Sequence, residues 1–251
     1  MLGIDAPAKI NLALHVTGRR ADGYHLIESF VVFAELGDRV SVQLAERDSF
    51  LLEGPEAAEL STEAESSNLV VRARDALRDA ARQSGTELPP VDIRLDKELP
   101  VASGIGGGSA DAAAALKALC LLWEYDPGAE TLSRIALDLG ADVPMCLEGQ
   151  PLIARGIGET LTPVDLGFAL DLVIVKPRIG VSTPKVFSAL ESRDNPPLPD
   201  PESLEDKDQF ITWLAQTRND LQPPAQRMVP DIAECLSALH LSGADFVRMS
   251  G

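Results

Sequence analysis

Positive charge is scarce in this sequence. Its 22 Lys and Arg residues stand against 39 Asp and Glu, a formal net charge of −17 over 251 residues. That balance argues against nucleic acid or an anionic membrane as the main partner, because both demand a basic surface. Any phosphate site must therefore be built locally, from backbone N–H groups and a few lysines. Cysteine is scarce too: Cys120, Cys146 and Cys235 are odd in number, widely spaced and set among apolar residues. They read as buried thiols of a reducing compartment, not as a disulfide frame or a zinc site. No apolar run approaches the ~18 residues of a membrane span. Met1–Pro7 shows no basic region followed by an apolar stretch, so a cytoplasmic protein is expected. Internal repeats are also lacking. What remains, with 45% hydrophobic and 24% charged residues, is a soluble globular chain long enough for a sizeable core.

Against that background stands the run Pro100-Val101-Ala102-Ser103-Gly104-Ile105-Gly106-Gly107-Gly108-Ser109-Ala110-Asp111, flowing into an alanine tract that ends in Leu116. Glycines leave the N–H groups uncovered, and the alanines that follow are strong helix formers. A helix start adds roughly half a positive charge to such a loop, which makes it an anion site. On these residues alone, a phosphate cradle and a flexible connector capped by Ser109 fit equally well. The two commonest phosphate motifs are absent. No Gly-Lys-Ser/Thr follows four variable residues, and the sixth position of Gly104–Ser109 is not glycine or alanine.

The hydrophobic pattern predicts an α+β chain. Ile10, Leu12, Leu14 and Val16 alternate as a half-buried strand, with Lys9 and Asn11 on the face away from the core. Strands are expected at Ser29–Ala34, Arg39–Leu44, Val91–Leu95, Leu170–Lys176 and Phe246–Met249. Helices are expected at Asn68–Arg82, 129–139, Asp208–Thr217 and Ala225–Leu239. The proline-rich Arg193–Pro201 reads as a loop between two parts. Asp142, in Gly140-Ala141-Asp142-Val143-Pro144, is either a turn former or an acid able to take a proton from an alcohol. Tyr24 and His25, after the Asp22-Gly23 turn, can stack on a flat ring or simply pack.

Taken together, Pro7-Ala8-Lys9-Ile10-Asn11-Leu12, Arg20-Ala21-Asp22-Gly23-Tyr24-His25, Asp96-Lys97-Glu98-Leu99-Pro100, Gly104–Ser109 and Gly140–Pro144 resemble the kinase superfamily named for galactokinase, homoserine kinase, mevalonate kinase and phosphomevalonate kinase, the GHMP kinases. The Lys-Ile-Asn and Asp-Gly-Tyr-His blocks are most like the members that phosphorylate a cytidylated methylerythritol in the non-mevalonate isoprenoid route.

The resemblance implies a two-lobed fold. Residues 1–155 would form a nucleotide and catalytic lobe like the second domain of a small-subunit ribosomal protein, and 156–251 a ferredoxin-like substrate lobe. It implies a third glycine motif that begins at Met249-Ser250-Gly251 and continues beyond, so the second lobe is read as incomplete. It also implies transfer of the ATP γ-phosphate to a 2-hydroxyl with Mg²⁺, with Asp142 as base and Lys9 as its partner. Asn68, Lys97, Pro100, Gly104, Gly106, Gly107, Gly108 and Ser109 would line the nucleotide, with Ser109 also the candidate magnesium contact. Asn11, Tyr24, His25, Thr183 and Phe187 would hold the acceptor. A monomer or weak homodimer is expected. The alternatives are another small-molecule kinase of the superfamily, such as one acting on homoserine, and a catalytically inactive nucleotide-binding relative.

Overall fold

The computed structural model describes residues 1–60, 64–101, 103–201 and 206–251; Ala102 of the glycine run lies outside them. The chain is α+β and divides into two compact units that interleave along the sequence. The first comprises Met1–Lys9, Ala34–Val101 and Gly106–Gly149, and the second Ile10–Phe33, Ala102–Ile105 and Gln150–Gly251. Two long paired strands, β1 (Leu2–Arg19) and β2 (His25–Leu44), contribute to both.

In the first unit β3 (Ser49–Glu53) runs parallel to β4 (Val91–Asp96), and β4 pairs antiparallel with Arg39–Leu44 of β2. The short α1 (Ala57–Leu60) follows β3. Helix α2 (Leu69–Gln83) is amphipathic, as the spacing predicts, and buries Val70, Ala73 and Leu77. It packs on α3 (Gly107–Trp123), whose tract Ala110–Leu116 is buried throughout. Alanines let neighbouring helices approach closely, since no long side chain holds them apart. Helices α4 (Ala129–Leu139) and α5 (Val143–Glu148) complete this layer.

In the second unit β5 (Leu152–Gly156) pairs antiparallel with Ile27–Val31 of β2 and with β6 (Thr160–Pro163). Four helices follow: α6 (Thr183–Ser188), α7 (Lys207–Gln216), α8 (Gln222–Met228) and α9 (Asp231–Leu241). Leu14, Val16, Val186, Leu190, Leu221 and Ala225 form its core, with Ile27 and Phe187 packed against them.

Several expectations need correction. The two strands expected at Ser29–Ala34 and Arg39–Leu44 are one continuous strand, β2. The helix expected at Ala225–Leu239 is two, divided at Pro230, whose ring cannot continue the first. Leu170–Lys176 forms no strand, and Val173 is 76% exposed. Its β-branched residues favour a strand only where a neighbour pairs with the backbone, and the segment joins none of the strand ladders among the described residues. Phe246–Met249 is likewise irregular. Cys146 is buried, but Cys120 and Cys235 are only half-buried; all three are free thiols. No helix among the described residues is long and apolar enough to cross a membrane.

Candidate active site

Lys9 and Asn11 are both buried, where the alternating pattern put them on an exposed face; β1 is buried without interruption from Ala8 to Val16. A lysine is taken out of water only when its charge is compensated. The compensation is Asp142, whose Oδ2 lies 3.1 Å from Lys9 Nζ. Asp142 precedes α5 as its N-cap residue, but its side chain makes no capping bond. The turn-former reading therefore leaves its carboxylate unexplained, and the ion pair accounts for it. The Lys9 side chain is 3% exposed and that of Asp142 40%, so the pair opens to solvent on the acid's side. Beside it Cys146 is buried on α5, and burial pushes its thiol up to about 12, which leaves it inert.

The glycine loop meets this pair directly. Helix α3 begins inside the loop, at Gly107, with Gly106 at the N-cap in the left-handed region (φ 67°). Ser109 therefore sits in the first helical turn and is not the cap the connector reading required. A Cβ on Gly106 would stand 3.0 Å from Lys9 Cε and 3.2 Å from its Cβ. A Cβ on Gly107 would stand 3.0 Å from Lys97 Nζ. Two lysine side chains thus pass under consecutive glycines, and any side chain there would push them away.

Lys97 itself is sealed in. Its Nζ donates to Asp38 Oδ2 and, at 3.0 Å, to Asp111 Oδ2. Asp38 Oδ1 accepts the backbone N–H groups of Glu98 and Leu99, each at 2.7 Å. Burial raises the Asp111 carboxyl well above the ordinary carboxylate range, although Lys97 works against this. Asn68 caps α2, its Oδ1 accepting from Val70 N at 2.9 Å. Pro100 and Gly108 lie along the same unit's loop, Pro100 half-buried and Gly108 exposed.

In the second unit, His25 and Phe187 stack with ring centroids 4.8 Å apart and planes 26° from parallel. His25 Nε2 is buried and, among the described residues, without a hydrogen-bond partner. Burial and then the charges of Arg19 and Arg193 lower its pKa, so the ring is neutral near pH 7. A neutral imidazole with an orphaned nitrogen is a fitting reader for a polar ring edge. Tyr24 is 60% exposed on the turn, and Thr183 is exposed at the start of α6. Asn11 is oriented from both sides: its Nδ2 donates to Ser29 Oγ at 2.7 Å, and its backbone N–H to Ser250 Oγ at 3.0 Å. Gly104 (φ 74°) lies against the Ser250 carbonyl, 2.8 Å from where its Cβ would be. The structure thus assembles one cluster around Lys9, Asp142 and Gly106, and another around His25 and Phe187.

Sequence reasoning missed Asp38 and Asp111 as partners of Lys97. Asp111 stood within the quoted run, but nothing local connects Asp38 to a lysine 59 positions later.

Comparison with known proteins places the chain in a family. Residues 68–150, which contain the glycine loop and Asp142, match the family described as GHMP kinases N terminal domain. A 4-diphosphocytidyl-2-C-methyl-D-erythritol kinase of Rhizobium meliloti is 52% identical over 246 residues, covering 98% of this chain and 82% of that protein. One from Mesorhizobium japonicum is 54% identical over 247 residues, with the same two coverages. The crystal structure of a 4-(cytidine 5'-diphospho)-2C-methyl-D-erythritol kinase superposes with a TM-score of 0.73 at 34% identity, over 96% of this chain and 84% of that one. The homoserine kinase of Cytophaga hutchinsonii shares the fold at 18% identity and a TM-score of 0.62, over 100% of this chain and 82% of that one. The fold is that of a GHMP kinase. Within that class the chain belongs to the 4-diphosphocytidyl-2-C-methyl-D-erythritol kinase family.

Proposed function

We propose that this chain transfers the γ-phosphate of ATP to the 2-hydroxyl of 4-diphosphocytidyl-2-C-methyl-D-erythritol, in the non-mevalonate route to isoprenoids. One observation carries the mechanism: a buried lysine paired with an acid that keeps an open side, next to a glycine loop. Phosphoryl transfer needs little covalent help from a protein. It needs the attacking oxygen and the phosphate held in line, and the developing charge stabilised.

In this reading the Asp142 carboxylate accepts the proton of the 2-hydroxyl as its oxygen attacks the γ-phosphorus. The bond to the oxygen bridging the β- and γ-phosphates breaks, and ADP leaves. The Lys9 ammonium steadies the negative charge on the attacking oxygen and holds the Asp142 carboxylate in place. Gly104, Gly106, Gly107, Gly108 and Ser109 present the phosphate cradle, Pro100 shapes its entrance, and Asn68 stands at the adenine. Mg²⁺ supplies charge neutralisation to the phosphates when bound. Ser109 is the candidate protein contact that would hold it. Asn11 and Thr183 contact the acceptor's polyol part, while His25 reads the cytosine edge and Tyr24 and Phe187 cover its faces. Residues 1–155 serve the nucleotide and the chemistry in this reading, and 156–251 complete the acceptor side. A cytoplasmic monomer or weak homodimer suits a small-molecule kinase of this charge.

A coupled assay of ADP release across a panel of alcohols tests the reading. ADP is expected with the cytidylated methylerythritol alone. A signal with homoserine instead would reassign the acceptor, and ATP binding without turnover on any alcohol would mark a non-catalytic relative.

A further inference from the structure

We propose that the Lys97 side chain is a positioning group of the glycine loop, holding it through Asp38 and Asp111, and that its ammonium does not touch the nucleotide. This rests on the reading that the loop binds the phosphates of ATP. The resemblance to the GHMP kinases puts Lys97 in the nucleotide pocket, but the geometry points elsewhere. Its side chain is 3% exposed, and its two carboxylate partners are 0% and 4% exposed. An ammonium already shared between two buried acids has no open direction in which to meet a ligand.

What the cluster does is join three elements at the foot of the loop. Asp38 comes from the middle of β2, Lys97 directly follows β4, and Asp111 lies in the second turn of α3. Asp38 takes two backbone N–H groups where the chain leaves β4, and Lys97 carries that anchorage across to α3. The segment from Glu98 to the start of α3 is therefore pinned at both ends. Lys97 Nζ also lies 3.0 Å from where a Gly107 Cβ would stand, so the staple runs directly beneath the first helical residue of the cradle.

The arrangement has a cost that a purely structural ion pair would avoid. Two carboxylates share one ammonium, and Asp111 Oδ1 is buried with no hydrogen-bond partner among the described residues. A buried charge cluster is rarely worth more to stability than apolar packing of the same volume; its best-attested use is to specify one geometry. Here the geometry specified is that of the loop.

The decisive variant is Asp111→Leu, which leaves Lys97 charged and held by Asp38 while cutting the link to α3. Affinities of the full chain for ATP and for adenosine are measured by calorimetry, alongside Lys97→Met and the double variant, each checked by thermal unfolding. ATP affinity is expected to fall about tenfold or more in Asp111→Leu, the scale of a misplaced binding group, with adenosine affinity changed less than about twofold. The double variant is expected to be no weaker for ATP than the worse single variant, because both cut one connection. Equal losses for ATP and adenosine, additive losses in the double variant, or unchanged ATP affinity in Asp111→Leu would each overturn the proposal. Should Lys97→Met fail to fold, Asp111→Leu alone still decides between selective loss and none. Absence of ATP binding in the unaltered chain would overturn the loop reading itself, and this proposal with it.

Discussion

Lys9 and Lys97 are equally buried and lie under consecutive glycines of one loop, yet their acids differ. Asp142 is 40% exposed, whereas Asp38 and Asp111 are sealed. That difference separates chemistry from architecture. A carboxylate with an open side can accept a proton from a substrate that arrives there. A carboxylate with no open side can only hold its neighbours in place. Burial of the lysine says nothing about which role it has; the exposure of its partner does.

The strongest way to break this distinction is Asp142→Asn. Turnover is expected to fall by about a thousandfold, within the usual range for a lost general base, with ATP affinity little changed and a lowered melting temperature because buried Lys9 loses its charge partner. Near-normal turnover in steady-state assays would remove Asp142 from the chemistry and leave the two lysines without a functional contrast. A smaller effect sharpens the separation from the acceptor side. Phe187→Ala removes the ring stacked on His25, and KM for the cytidylated acceptor should rise about tenfold while KM for ATP holds, the scale of one aromatic contact. A parallel rise in KM for ATP would mean that the aromatic pair is not specific to the acceptor.

The smallest effect concerns an ion pair with neither role. Arg78 donates to Asp48 and, with the Val91 N–H, holds its carboxyl at about 2 against an ordinary 3.8. Because the folded value lies below the unfolded one, this stabilisation is present above 3.8 and is lost as pH falls through about 2. Asp48→Asn should therefore cost about 1 kcal/mol near neutral pH, allowing for its partial exposure, with no change in turnover. In urea titrations the gap from the unaltered chain should close toward the acid end. A gap that persists there would assign the loss to something other than the Asp48 charge.

Much of the local structure was legible in the residues themselves. The apolar spacing placed α2 within one residue of its observed ends, and α4 at its observed ends. The glycine-to-alanine change marked the start of α3, because glycine disfavours a helix interior and alanine favours one. Leu170–Lys176 failed for the opposite reason: strand-like composition describes a surface ready to pair and does not supply the pairing backbone. The burial of Lys9 and Asn11 failed similarly. Alternation predicts one wet face, yet β1 is covered on both from Ala8 to Val16. The aromatic cluster was only half legible. Tyr24 and His25 are neighbours in sequence, whereas the stacking of Phe187 on His25 spans 162 positions.

By itself the sequence determined the elements and the chemical inventory. One glycine loop opening a helix, one lysine on an early strand and one acid after α4 are encoded by adjacent residues acting through backbone geometry and side-chain type. It also carried enough motif order to indicate the family. Only the tertiary structure decided how the charges pair. Lys9 meets Asp142 across 133 positions and Lys97 meets Asp38 across 59, because coulombic pairing depends on distance in space and on exclusion of water. That same folding left one acid open to solvent and sealed the other two beneath the loop.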